Sequence, residues 1–271
     1  MPSPSERLFF QRRFPLRLAW PVSVLLLFAF VTAATSQDSK PKEAEGPGFE
    51  NLRVLPSDIS QQDLMDIMRF DFVGGLGVRC SHCHVGEEGQ SLSQYDLASD
   101  DKPAKRKARE MLRMVEAING VHLAGLDDRA EPAVRVSCET CHRGQTQPRM
   151  IQEVIHHTVI QDGVEAGVER FRELREEYYG SHTFDFGRTA LTAFARTLIA
   201  EQRRAEAIRI LELNIELYPD YWYTYRMLFE LVMEENPERA RRELERAIGL
   251  APEGSVAWLR RSLEEFLAGS E

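Results

Sequence analysis

Cys80-Ser81-His82-Cys83-His84 and Cys138-Glu139-Thr140-Cys141-His142 decide how the rest of this sequence is read. Each is C-x-x-C-H, the pattern for covalent attachment of a c-type haem. Two thiols three positions apart reach the two vinyl groups along one porphyrin edge. The histidine that follows is then placed under the iron and donates an axial nitrogen. The chain has 4 cysteines, so the pattern predicts two covalently bound haem c groups. Cys80 and Cys83 would hold one, with His84 as axial ligand. Cys138 and Cys141 would hold the other, with His142. A zinc site is the competing reading, but Cys83 and Cys138 lie 55 positions apart, well beyond the usual gap of about 15–20 residues between two C-x-x-C pairs. Neither zinc nor a pair of disulfides explains a histidine after both pairs.

Around these motifs the sequence predicts helices. Ser60-Gln61-Gln62-Asp63 reads as a helix start, a cap followed three residues later by an acid. Leu64, Ile67, Met68 and Phe72 follow at helical spacing, and Gly74-Gly75-Leu76-Gly77 ends the segment. A second helix is expected from Pro103, with Ala108, Met111, Leu112, Val115 and Ile118 on one face, stopping at Asn119-Gly120. Residues 85–101 read as a loop, and no stretch reads convincingly as a strand.

The sixth position on each iron separates electron transfer from catalysis. Met68, 12 residues before Cys80 on the apolar face of its helix, is a candidate opposite His84. Met111, on the helix before Cys138, is a candidate opposite His142. Core packing is the plainer role for a helical methionine, and it is the role expected of Met65 and Met114. Arg79 and Arg143 flank the motifs and would pair with propionates or be solvated. His156, His157 and His182 are expected to be solvated or packed.

Certain segments outside the two motifs carry a resemblance. Asn51-Leu52-Arg53-Val54-Leu55, Leu76-Gly77-Val78-Arg79 before the first motif, Ala108-Arg109-Glu110-Met111-Leu112-Arg113-Met114, Ala117-Ile118-Asn119, and Val136-Ser137 before and Arg143-Gly144 after the second resemble the haem-binding units of the photosynthetic reaction-centre cytochrome c subunit family. The resemblance covers about residues 50–148. It implies that a helix before each haem supplies a methionine ligand, and it lays Met68 on the first such position and Met111 on the second. Reaction-centre members carry four haems in two dihaem halves; this chain has one half. Their cross-half histidine ligand would fall near Gly125, so His122, which is offset from it, is expected at the surface. A stand-alone relative outside photosynthesis fits the sequence as well as a reaction-centre subunit does.

The flanks complete the organisation. Residues 1–36 read as a signal peptide or N-terminal anchor: Arg7, Arg12, Arg13 and Arg17, then uncharged residues 18–34, then Ala34-Thr35-Ser36 before Gln37. The expected location is periplasmic or otherwise exported in a bacterium, with residues 18–34 as an alternative inner-membrane anchor. Residues 37–50 read as a flexible linker and 51–150 as the dihaem cytochrome c domain. Residues 151–162 read as a connection and 163–271 as a tetratricopeptide-like helical domain. Leu191 to Pro219 and Tyr223 to Pro252 form the repeat, their prolines 33 residues apart against a period of about 34 for such helix pairs. Residues 163–179 and 255–267 would flank and cap them. Of Tyr218, Tyr221, Trp222, Tyr223, Tyr225 and Phe229, one or two should be exposed.

The expected fold class is therefore all-α. A net charge of −9 argues against a nucleic-acid partner, which needs a basic stripe. With 43% hydrophobic and 28% charged residues the chain is neither disordered throughout nor a multi-span membrane protein. The expected function is single-electron transfer between redox partner proteins of the envelope, not enzymatic turnover. The helical tail, with 15 basic and 23 acidic residues in 151–271, would dock or steer a partner. A peroxidase-like dihaem oxidoreductase with one open haem, or a redox-sensing docking protein, are the alternatives.

Overall fold

A computed structural model describes residues 48–269. The expected leader, anchor and most of the linker lie outside the described residues. Helices make up the regular structure, and among the described residues the extended pairing is a single bridge between Val85 and Asp96. The chain divides into two compact units at residues 146 and 147.

The first unit has two long helical segments, each of which widens into a π-helical turn. Helix α1 (Gln61–Asp66) starts where Ser60 Oγ accepts the backbone N–H of Asp63 at 3.0 Å. It continues as a π-helix over Ile67–Gly74. Helix α2 (Pro103–Ala117) has Pro103 in its first turn, where the missing N–H costs nothing. It continues as a π-helix over Ile118–Leu123. Asn119-Gly120 therefore do not stop the second helix as expected. The turn widens there, and the Asn119 side chain is recruited elsewhere. Helix α3 (Cys138–His142) is a single turn capped by Ser137, which exchanges bonds with Thr140. Between α1 and α2 lies mostly loop, with short 3-10 turns at Cys80–His82 and Leu92–Gln94.

Protein side chains alone give this unit little core. Among the described residues Ile59 and Ile67 are its buried hydrophobics, and α2 buries no residue. Phe70, Val73, Leu97, Met111 and Met114 stand exposed.

The second unit is packed conventionally. Its helices are α4 (Ile151–Asp162), α5 (Val164–Tyr178), α6 (Arg188–Ala200), α7 (Arg204–Leu217), α8 (Trp222–Val232), α9 (Pro237–Leu250) and α10 (Glu253–Ala268). They associate as consecutive pairs, α4 with α5, α6 with α7 and α8 with α9, and α10 lies on α9. Residues 151–162, expected as a connection, instead form α4. Ile151, Ile155 and Val159 recur every four residues and are buried, so the segment carries an apolar helix stripe. Gly167 lets α5 approach it, since a Cβ there would strike the Val159 side chain.

Candidate cofactor-binding site

The two cysteine motifs are built alike. In the first, a 3-10 turn brings the N–H of Cys83 to the Cys80 carbonyl at 3.2 Å and that of His84 to the same carbonyl at 3.0 Å. In the second, α3 winds Cys138, Cys141 and His142 over one turn. Residues three and four apart share a side of such a turn, so each motif presents two thiols and an imidazole together. All four thiols are free. Burial pushes the Cys83 thiol upward. Burial, reinforced by the Asp71 carboxylate, pushes Cys138 up to about 11. Burial in both cases disfavours the charged thiolate.

The histidines are oriented by backbone. His84 donates Nδ1–H to the Leu97 carbonyl at 3.2 Å, and His142 donates Nδ1–H to the Gln145 carbonyl at 2.7 Å. A carbonyl can only accept, so both rings are fixed in the tautomer that leaves Nε2 with its lone pair. That is how an axial histidine is held. Burial, then the nearby Lys105 charge, lowers the His84 pKa, which keeps that lone pair available.

Long-range polar contacts hold the frame. The Asn119 side chain donates to the Val136 carbonyl and accepts the Val136 N–H, both at 2.8 Å. This ties the end of the second helix to the strand-like approach to Cys138. The Asn51 side chain bonds the Ala98 carbonyl and the Asp100 carboxylate, and Arg109 bonds Asp100 at 2.8 Å. Arg53 is 3.2 Å from the same carboxylate. The glycine turn after α1 abuts the second motif: Gly144 N–H donates to the Gly75 carbonyl at 2.8 Å, and Gly77 takes φ +66 against Gly144.

Sequence reasoning named none of Asn51, Asp100, Lys105 or Asn119 as positioning residues. The available signals are the place of Asn51 and Asn119 in the segments that carry the family resemblance, and a polar Asn inside an apolar helical pattern. Met68 sits half-buried in the first π-helical turn and Met111 lies exposed on α2. Met65 is half-buried and Met114 more exposed than Met111. His122 is at the surface, and Arg79 pairs with Glu88 at 3.7 Å with both side chains solvated. Arg143 takes a left-handed backbone conformation. Among the described residues no three His, Cys, Asp or Glu side chains gather as a metal site.

A family model, photosynthetic reaction centre cytochrome c subunit, matches residues 28–190, more than half of the sequence. The chain belongs to this family. Cytochrome c-554 of Chloroflexus aurantiacus is 32% identical over 96 residues, which are 35% of this chain and 20% of that protein. The chain thus spans about a fifth of that relative's length. No solved structure matches. The family is one of c-type cytochromes, which hold haem c covalently. The residues present fit that group: paired free cysteines, beside each pair a histidine whose Nδ1 is engaged by a backbone carbonyl, and apolar side chains that protein atoms leave uncovered.

Proposed function

We propose that the protein is an exported dihaem electron carrier of a bacterial envelope. Cys80 and Cys83 would anchor one haem and Cys138 and Cys141 the other, with His84 and His142 as axial ligands and Met68 and Met111 as the sixth ligands. The observation that carries this is the repetition. Twice, a one-turn pair of free thiols is followed by a histidine whose Nδ1–H is committed to a backbone carbonyl. Bound haem supplies a one-electron iron couple, and methionine sulfur raises its potential. The chain's part is to orient: His84 and His142 hold their rings, Asn119 holds the approach to Cys138, and closed ligation excludes substrate. Exposed Phe70, Val73 and Val121 would cover the macrocycles.

The helical unit is the proposed docking element. On α6, α8 and α10, arginines lie over aromatic rings: Arg196 and Arg226 over Tyr223 at 5.3 and 5.5 Å, and Arg226 over Trp258 at 5.3 Å. Trp222 meets Trp258 edge-on at 6.2 Å. Tyr225 and Phe229 are buried, and Tyr218, Tyr221, Trp222 and Tyr223 are half-buried. None of the six is exposed as expected from helical periodicity, because neighbouring helices and arginine side chains cover them.

Haem staining after denaturing electrophoresis and an intact mass should show two haems, and changing Cys83 and His84 together should leave one. The ferric protein should show the weak far-red sulfur-to-iron band, about half of it lost in Met68→Ala and half in Met111→Ala. One haem in the native protein, or ready carbon monoxide binding, would refute this reading. A chain truncated after Met150 should keep its haems and lose capture of its redox partner.

A further inference from the structure

The Lys105 side chain is only 13% exposed, although it lies in the basic run from Lys102 to Lys107 at the start of α2. Its ammonium donates to three consecutive backbone carbonyls, Leu97 at 2.8 Å, Ala98 at 2.9 Å and Ser99 at 2.8 Å. The first of these is also the acceptor for His84 Nδ1–H. One carbonyl oxygen therefore serves both the axial histidine and a buried cation. The His84 bond is the longer of the two histidine–carbonyl bonds, 3.2 Å against 2.7 Å at His142, as expected where an acceptor is shared. Asp100, 3.7 Å from the ammonium, is itself engaged by Arg109 and Arg53, so it does not cancel the local positive charge.

We propose that Lys105 is a positioning residue that raises the reduction potential of the haem at His84, acting through the Leu97 carbonyl. Two effects act in the same direction. A free carbonyl accepting Nδ1–H makes the imidazole a more basic ligand and favours ferric iron. An ammonium on the same oxygen draws off that electron density and weakens the effect. The ammonium also stands in a partly desolvated site, where a positive charge disfavours the more positive ferric state. Lys105 further clamps Leu97, Ala98 and Ser99, and so fixes where the acceptor stands. The first cofactor's potential is thereby set from α2, the helix that carries Met111.

This inference rests on the proposed two-haem reading, and optical redox titration of the full chain tests both. Wild type should give two one-electron waves. Lys105→Met should move one wave to lower potential, with at least a tenfold change in its reduced-to-oxidised ratio at fixed potential, about 59 mV. The other wave should stay in place. Lys105→Gln, which keeps a donor without the charge, should fall between them, and Lys105→Arg should restore the wild-type position. Asp100→Asn should move the same wave the opposite way, because it removes a negative charge beside Lys105. A merely loosened loop would displace all variants in one direction, which overturns the proposal, as does a wave that stays put or equal movement of both. Haem counting separates the two failures. Two haems with an unmoved wave overturn the role of Lys105 alone, and no haem on Cys80 and Cys83 overturns both readings.

Discussion

Replacing Gly77 by alanine should damage the first unit far more than its place in a surface turn suggests. Gly77 has φ +66, and a Cβ there would collide with the Gly144 carbonyl oxygen and lie 3.1 Å from its carbon. A backbone atom cannot swing aside as a side chain end can. The left-handed conformation costs an alanine about 1–2 kcal/mol. Relief of the collision separates the turn from the end of α3 and gives up the 2.8 Å bond from Gly144 to Gly75, about 0.5–1.5 kcal/mol. The sum is about 1.5–3.5 kcal/mol. Gly89→Ala is the control, because Gly89 has φ +88 with nothing within 4 Å, so it incurs the conformational part alone, about 1–2 kcal/mol. Guanidinium titrations followed in the Soret band should place the Gly77→Ala midpoint clearly below that of Gly89→Ala, with similar slopes. Equal midpoints would refute the close approach of the glycine turn to the second motif.

Two more expectations follow from the polar frame. Asn119→Ala should destabilise the first unit by about 1–3 kcal/mol, since it leaves both backbone groups of Val136 without their side-chain partner. Asn119→Asp should not rescue it, because a carboxylate offers no donor to the Val136 carbonyl; melting curves check both. The Arg109 hydrogen bond, with help from Asn51 and Arg53, holds the Asp100 carboxyl down at about 2. A depressed carboxylate stabilises above its unfolded value of about 3.9 and loses that contribution as pH falls toward 2. The wild type should therefore lose stability across this acid window, and Asp100→Asn should lack that part of the acid limb in pH-dependent denaturation.

What was legible in the sequence was local. The C-x-x-C-H spacing confines its chemistry to one helical turn, and Ser60 and Pro103 announce helix starts through bonds within a few residues. What escaped was long-range. Asn119 serves Val136, 17 residues on, and helix periodicity carries no trace of such a partner. Lys105 reads as one of several solvated lysines until the fold turns it onto the Leu97–Ser99 carbonyls. Helix α4 is a different kind of miss. The spacing of Ile151, Ile155 and Val159 was present, but His156-His157 and polar neighbours obscured it, and an assumed boundary passed through it.

The meeting of Trp222 with Trp258 equips the chain with its own ruler. The sequence has 3 tryptophans, and Trp20 falls within the segment expected to be removed before Gln37. In the processed chain, ultraviolet emission would then come from one small spot in the second unit, and haem held by the first would absorb in the same band. Energy passing from that indole pair to the porphyrins falls off steeply with separation. The emission lifetime would therefore report the spacing of the two units without any attached dye, and would follow that spacing as a partner binds.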